Sequence, residues 1–168
     1  TTMAIICAET LGVKIEDIKV HSGDTDHCPA DLGAWGSRQT LMAGNAVKMA
    51  AADAKRQLLE FATAKMGPNI VYDLDIKDRW VHLVSRPEKG LDYTQVCKEA
   101  LRGKEGQRIM GRGFYTPHRK GMISPAYSYM MQAVEAEIDP ETGKINILNC
   151  VTAHDCGQPI NPIGLIGQ

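Results

Sequence analysis

Apolar and polar residues alternate along this chain with two different periods, and the period changes from segment to segment. Beyond Thr40 the apolar positions step by threes and fours and the pattern closes near Gly67-Pro68, which predicts a long amphipathic helix. Shorter patterns of the same kind predict helices over residues 3–11, with Gly12 as the stop, and over residues 93–101. Each of these helices is expected to bury one face against another element.

Other segments predict strands. Residues 134–138 alternate apolar and acidic side chains, a turn-forming run follows at 139–143, and residues 144–148 continue as a second strand, which together predict a β-hairpin. Strands are also predicted over 18–21, 70–74 and 80–85, the last two separated by a charged turn at 77–79. Helices and strands are mixed without regular βαβ units, so we expect an α+β fold, a mixed sheet with helices packed on it.

Composition narrows the class of protein. With 168 residues and 43% hydrophobic content the chain can bury a core, and a formal charge of -1 gives no basic patch for nucleic acid. No apolar run approaches the roughly 20 residues of a membrane helix, and the first dozen residues lack the basic start that is typical of a signal peptide. The five cysteines form no CxxC pair, so reduced thiols are expected. These features favour a cytoplasmic protein without a nucleic-acid or membrane partner.

Residues 23–40 form the most informative segment, because turn-forming and hydrogen-bonding residues are concentrated there. Three glycines permit unusual backbone conformations, and donors follow directly before the long helix, namely Ser37, Arg38, Gln39 and Thr40. Backbone N–H groups at such a helix start can hold an anion, and a guanidinium beside hydroxyls suits a phosphate or a pterin. The alternative, which we weigh equally, is a solvated loop whose serine or threonine caps the helix.

Residues 153–162 form a second polar loop after the predicted hairpin. His154, Asp155 and Cys156 could join His27 and Cys28 as metal ligands, although their spacing matches no standard zinc pattern. Cys28 or Cys156 beside a histidine could also serve as a nucleophile. We favour a rigid turn in which the side chains of Asp155 and Asn161 accept hydrogen bonds.

Two glycines at positions 111 and 113 flank Arg112 and suggest a dinucleotide fingerprint, but the third glycine is missing and no helix pattern follows. A glycine-containing strand that another backbone or a ligand approaches closely is the better interpretation.

Taken in order, these segments resemble the molybdenum-binding subunit of the xanthine dehydrogenase and aldehyde oxidoreductase family. The resemblance runs over nearly the whole chain. The motifs that carry it are Gly-Asp-Thr-Asp at 23–26, Gly-x-x-Gly-Ser-Arg-x-Thr at 33–40, Gly-Asn-Ala-Val at 44–47, Ser-Pro-Ala-Tyr at 124–127, Glu-Ala-Glu-Ile-Asp at 135–139, Glu-Thr-Gly at 141–143, His-Asp-Cys-Gly at 154–157, Ile-Asn-Pro at 160–162 and Gly-Gln at 167–168.

The resemblance implies a molybdenum hydroxylase whose metal is held by the dithiolene of molybdopterin, in its cytosine dinucleotide form, and not by protein side chains. It therefore implies no protein ligand to the metal and removes the zinc interpretation. Asp155, Asn161 and Pro162 match a motif that shapes the second loop. The cofactor-binding residues implied by the resemblance are Gly36, Ser37, Arg38, Gln39, Thr40 and Gln168.

The resemblance also implies what this chain lacks. The family's glutamate base lies in a Gly-x-Gly-Glu motif that is absent here, so we expect no catalytic residue in the chain, which alone would be inactive. Residues 1–168 are expected to form a partial molybdopterin-binding domain, with N-terminal and C-terminal parts of a larger subunit missing. Electrons would leave through [2Fe-2S] and FAD centres on partner subunits or domains, since no ferredoxin-type cysteine spacing occurs.

The family oxidises aldehydes, purines or N-heterocycles with oxygen taken from water, so a small-molecule substrate of that kind is implied. Within the family, a reductase of hydroxylated aromatic CoA thioesters is an alternative, suggested by the Gly-Phe-Tyr-Thr-Pro segment at 113–117. Outside the family, the alternative is a non-catalytic α+β interaction module or a truncated gene product.

Overall fold

The computed structural model describes residues 1–67, 73–102, 108–117 and 127–168. They belong to two compact units, Thr1–Ile123 and Ser124–Gln168. Helices and small antiparallel sheets are combined in the chain, so the predicted α+β class is confirmed. Within the described parts of the chain, no helix is both long enough and apolar enough to cross a membrane.

The first unit contains the three helices that the periodicity predicts. They are α1 (Thr2–Leu11), α2 (Gln39–Met66) and α3 (Tyr93–Arg102). Gly12 ends α1 in the left-handed conformation, with φ 77°, and its N–H donates to the carbonyl of Ala8. Glycine adopts this conformation without the steric cost that a side chain brings, which explains why the predicted stop is correct.

Three antiparallel strands form the sheet of the first unit: β1 (Leu74–Lys77), β2 (Trp80–Leu83) and β3 (Arg86–Asp92). A two-residue turn joins β1 to β2, and both of its residues, Asp78 and Arg79, have positive φ, as hairpin turns of this length require. The predicted strand at 80–85 is therefore present but shorter. Of the strand predicted at 70–74, residues 70–72 lie outside the described residues and Leu74 begins β1.

The strand predicted at 18–21 is wrong. Ile18 has extended backbone angles, φ -97° and ψ 119°, but the segment pairs with no strand among the described residues. A short 3-10 turn, Ile15–Asp17, precedes it, and the carboxylate of Asp17 accepts the N–H of Lys14 at 3.1 Å. An alternating pattern becomes a strand only where a neighbouring strand supplies hydrogen-bond partners.

The core of the first unit lies between the sheet and the second half of α2. Its buried side chains are Leu58, Ala62, Leu74, Ile76, Val81 and Val96. The first half of α2 packs on α1, and the helices approach closely at Gly44, where a Cβ would lie 3.0 Å from the Cδ1 atom of Ile6. Small residues at the start of α2 therefore serve a helix–helix contact, while its larger side chains cover the sheet.

Residues 108–113 run along α2 as an extended segment. The carbonyl of Ala50 would lie 1.9 Å from a Cβ at Gly111, and that of Ala46 would lie 2.0 Å from a Cβ at Gly113. The side-chain amide of Gln57 both donates to and accepts from the backbone of Met110, at 3.1 and 3.3 Å. The predicted close backbone approach is confirmed, although the segment is not a strand because its partner is a helix.

The second unit consists of a long antiparallel hairpin, β4 (Tyr129–Ile138) and β5 (Ile145–Asp155), followed by a six-residue helix, α4 (Pro162–Gly167). In the turn, the carboxylate of Asp139 accepts the N–H of Glu141 at 2.9 Å and the hydroxyl of Thr142 at 2.6 Å. The hydroxyl of Thr142 and the backbone N–H groups of Glu141 and Thr142 lower the pKa of the Asp139 carboxyl. The predicted hairpin is confirmed.

Candidate cofactor-binding segments

The loop that leads into α2 is irregular and is held by hydrogen bonds of its own polar residues. The side chain of Asp24 accepts the N–H of Asp26 at 3.0 Å and lies 2.9 Å from Nδ1 of His27, while its carbonyl accepts the N–H of Cys28 at 2.8 Å. The thiol of Cys28 faces the carbonyl of His21 at 3.7 Å. His27 and Cys28 therefore make the contacts of a folded loop.

Left-handed backbone conformations bring the loop to the helix. Gly33, Gly36 and Ser37 have φ values of 82°, 62° and 52°. Ser37 carries a side chain in a region that glycine usually occupies, so the loop stores local strain there. Arg38 follows with right-handed angles, φ -104° and ψ -1°. A change of hand between successive residues turns their N–H groups toward one side and makes a concave site for an anion.

Arg38 is the buried charge of this segment. Its residue surface is only 9% exposed, and its guanidinium carbon lies 3.9 Å from the ring centroid of Trp35. The Nε atom is buried without a hydrogen-bond partner, and no carboxylate of the described residues lies within ion-pair distance of the guanidinium. A buried N–H donor is normally hydrogen-bonded, because leaving it without an acceptor costs about 1–3 kcal/mol.

The start of α2 has no side-chain cap. Arg38 occupies the N-cap position, and no side chain in the described residues accepts from the first turn. Ser37 precedes the cap and Thr40 lies inside the helix, so the expectation that a serine or threonine caps the helix is wrong. The N–H groups of the first turn thus remain available, and the helix dipole favours negative charge beside them.

The five residues predicted in the first loop lie together at this helix start. Arg38 is buried and Gln39 is half-buried, whereas the remaining three are exposed, namely Gly36, Ser37 and Thr40. Gln168 belongs to the second unit, where its N–H donates to the carbonyl of Gly164 at 3.1 Å and ends α4. Its side chain is exposed. The segment at 36–40 can therefore present an uncapped helix end, two hydroxyls, an amide and a guanidinium to one anionic group.

The second loop is the rigid turn that its residues predict. The carboxylate of Asp155 accepts the N–H of Gly157 at 2.9 Å, and Gly157 has a φ of 73°. Asn161 caps α4, because its side-chain oxygen accepts the N–H of Gly164 at 3.2 Å, and Pro162 occupies the first helical position. This combination is typical of a well-defined helix start.

The described residues do not show the arrangement that a metal site or a nucleophilic cysteine would need. No group of three or more His, Cys, Asp or Glu side chains is placed to hold a metal ion in the parts of the chain that the structure describes. The ring of His27 contacts Asp24, and the thiol of Cys156 faces the carbonyl of Gly157 at 3.8 Å. Neither Cys28 nor Cys156 has a hydrogen bond to a histidine ring among the described contacts.

Trp35 was not predicted as part of this segment. Its ring contacts the guanidinium of Arg38, and the residue as a whole is 48% exposed. The available signal was an aromatic residue three positions before an arginine within a glycine-containing loop, which is a spacing that permits a cation–π contact.

Comparison with known proteins agrees with this arrangement of fold and polar segments. The profile of the molybdopterin cofactor-binding domain family matches residues 1–168. Over its whole length the chain is 30% identical to the probable hypoxanthine oxidase of Escherichia coli K12, of which it covers 17%. It is also 30% identical to the xanthine dehydrogenase molybdenum-binding subunit of Escherichia coli O157:H7, of which it covers 22%.

A solved structure with the same fold is quinoline 2-oxidoreductase from Pseudomonas putida 86. The TM-score is 0.86 at 25% identity, over 99% of this chain and 21% of that one. The chain thus spans about a fifth of the length of the proteins it matches. Its relatives are molybdenum oxidoreductases.

The chain belongs to the molybdopterin cofactor-binding domain family. The resemblance seen in the sequence motifs is thereby confirmed. The residues at the start of α2 also fit the group that such a domain binds: molybdopterin carries a phosphate, and the buried Nε of Arg38 is a donor without a protein acceptor among the described residues.

Proposed function

We propose that this chain forms part of the cofactor-binding region of a larger molybdenum hydroxylase subunit, in which residues 36–40 hold an anionic group of molybdopterin. The enzyme would oxidise aldehydes, purines or N-heterocycles with oxygen taken from water. The observation that carries the proposal is Arg38, a residue that is nine-tenths buried: its guanidinium lies over the ring of Trp35, its Nε is buried without an acceptor among the described residues, and no described carboxylate pairs with it.

The cost of a buried donor without an acceptor supports this role of Arg38. A cation–π contact contributes about 0.5–2 kcal/mol, but it gives the buried Nε of Arg38 no acceptor, and a buried donor without a partner costs about 1–3 kcal/mol. A phosphate beside Arg38 would recover this cost, because guanidinium–phosphate hydrogen bonds are charge-assisted and form as a matched pair. The uncapped first turn of α2 would add backbone donors to the same anion.

The neighbouring residues have distinct roles in this proposal. Gly36 and Ser37 set the left-handed turn that brings the loop to the helix. The Ser37 and Thr40 hydroxyls and the Gln39 amide supply neutral hydrogen bonds to polar edges of the pterin. Gln168, on an exposed end of the second unit, supplies a further amide contact.

The bound cofactor would supply the redox chemistry of the reaction, which protein side chains cannot provide. The residues of this chain would hold and orient it, and none of them is proposed as the general base. In the full enzyme, the base, the rest of the molybdenum subunit and the iron–sulfur and FAD centres are proposed to come from other segments or partner subunits. The cytosine dinucleotide form of the cofactor is likewise part of the proposal.

Cofactor content tests this function. The complete enzyme that contains this sequence is produced in cells that make molybdopterin, and molybdenum and pterin are measured per subunit for the parent, Arg38→Met and Arg56→Met. Arg56 is the matched control, because it lies on α2 but is exposed and paired with Asp53 and Glu60 at 2.7 and 2.6 Å.

We expect Arg38→Met to lose most of its molybdenum and pterin while Arg56→Met keeps both. A parent enzyme that contains neither would overturn the proposed function and favour the non-catalytic module. If Arg38→Met contains as much molybdenum and pterin as Arg56→Met, Arg38 is not part of the site, but the family assignment still holds.

A further inference from the structure

Trp35 is exposed in an unusual way for a large aromatic side chain. The residue is 48% exposed, yet the guanidinium carbon of Arg38 lies 3.9 Å from the centroid of its ring. Trp35 lies within the glycine-containing turn, and its backbone N–H donates to the carbonyl of Gly33 at 3.2 Å. The backbone from which the indole projects is therefore held within the loop.

Besides the packing that buries Arg38, the ring of Trp35 is the contact recorded for its guanidinium among the described residues. The side chain of Arg38 has four rotatable bonds, its Nε has no hydrogen-bond partner, and it forms no ion pair with a described carboxylate. A planar guanidinium stacked on a planar ring keeps its edge free, and the edge is where its N–H donors point. Stacking thus orients the donors without consuming them.

We propose that Trp35 is a positioning residue for the cofactor, because its ring holds the Arg38 guanidinium in the orientation that receives an anionic group of molybdopterin. This inference rests on the proposed function. An aromatic face is the property that matters, so phenylalanine should replace the indole and leucine should not. The indole N–H is not required.

The experiment measures how fast the complete enzyme loses molybdenum and pterin during incubation in cofactor-free buffer. Trp35→Leu should lose them about 2- to 30-fold faster than the parent, which is the range that one cation–π contact supplies. Trp35→Phe should stay within about twofold of the parent, because its ring retains a π face. Trp80→Leu is the control, since Trp80 lies on β2 and donates to the carbonyl of Pro87 at 3.0 Å.

A double-mutant cycle separates positioning from a general structural effect. If Trp35 acts through Arg38, Trp35→Leu should change the rate of loss by less than about twofold in an Arg38→Met background, measured on the fraction of subunits that still carries molybdenum and pterin after purification. The helical circular dichroism of the cofactor-free variants should match that of the parent.

Each other outcome would overturn the inference. Equal losses for Trp35→Phe and Trp35→Leu would show that the aromatic face is irrelevant. An undiminished effect in the Arg38→Met background would show that Trp35 acts independently of Arg38. If the parent enzyme contains no molybdenum and no pterin, the proposed function and this inference are overturned together. If the parent contains both and Trp35→Leu loses them no faster than the parent, only the role of Trp35 is overturned.

Discussion

Gly12 joins α1 to the sheet at a point where the structure leaves no room for a side chain. A Cβ at Gly12 would lie 1.8 Å from the carbonyl oxygen of Ile76 and 2.5 Å from its carbonyl carbon, well inside the 3.4 Å at which ordinary contacts begin. Ile76 is 3% exposed and belongs to the core. Gly12→Ala must therefore separate the end of α1 from β1.

The magnitude follows from two contributions. The left-handed backbone of Gly12 would cost alanine about 1–2 kcal/mol. Relieving the overlap adds about 1–3 kcal/mol of overpacking, and the hydrogen bond from the N–H of Arg79 to the carbonyl of Gly12, 3.2 Å long, is placed at risk for about 1 kcal/mol more. We expect Gly12→Ala to lower the free energy of unfolding by about 3 kcal/mol or more.

Gly23 provides a matched control for the backbone contribution alone. Its φ is 78° against 77° for Gly12, but a Cβ there would meet nothing within 4 Å. Gly23→Ala should cost about 1 kcal/mol, part of which is offset because alanine also restricts the unfolded chain. The difference between the two variants then isolates the contact with Ile76.

Urea unfolding followed by circular dichroism at about 222 nm measures both values, with the slope of each transition compared to confirm that the same surface unfolds. If Gly12→Ala costs no more than Gly23→Ala, the close packing of α1 on β1 is not part of the stable fold and the reasoning fails.

Two further predictions concern contacts between distant segments. Gln57→Leu should loosen the attachment of residues 108–113 to α2, because both amide hydrogen bonds to Met110 are lost at about 1 kcal/mol each. The N–H of Arg112 still donates to the carboxylate of Asp53 at 3.2 Å, so the segment is loosened and not released. Trypsin should then cut after Arg112 faster than in the parent, and unchanged cleavage would contradict the contribution of Gln57. Asp17→Asn should make the stability of the fold depend less on acid. The hydrogen bond from Arg79 lowers the pKa of Asp17 in the folded protein, so its carboxylate stabilises the fold above its unfolded pKa of about 4. This contribution disappears as the pH falls through the lower pKa of the folded state. The difference in melting temperature between parent and variant should therefore shrink below about pH 4, and a difference that stays constant down to pH 2 would refute this origin.

Local sequence patterns were sufficient to predict those helices and strands whose contacts lie within a short stretch of the chain. The long helix α2 shows its period over many turns, and the hairpin of β4 and β5 combines alternation with a turn in which Asp139 and Thr142 satisfy the backbone. The strand β3 was missed because its sequence, with Pro87 and Gly90, has no alternation, and its strand character comes from pairing with β2. Pairing across the sheet is information that a local pattern does not contain.

The candidate site shows the same division between local and distant contacts. Glycines and polar residues marked the segment at 36–40, since turns and helix starts need those residue types. The burial of Arg38 and the absence of a described carboxylate beside it depend on the surrounding fold, so the sequence left the anion site and the capped loop equally weighted. The contact between Trp35 and Arg38 became visible only in three dimensions.

The two polar loops each lead into a helix, but only one of these helix starts suits an anion. At α4 the side chain of Asn161 already accepts the N–H of Gly164, and a helix of six residues carries little dipole at its end. At α2 the N-cap residue is Arg38, whose side chain only donates hydrogen bonds and therefore cannot cap the helix. The first-turn N–H groups and the Nε of Arg38 thus both lack an acceptor among the described side chains. An arginine at an N-cap raises the positive charge of a helix end that is already positive, which destabilises the free protein. An anion at this position would satisfy these donors, and for this reason we propose the start of α2, and not that of α4, as the place where the anionic part of molybdopterin binds.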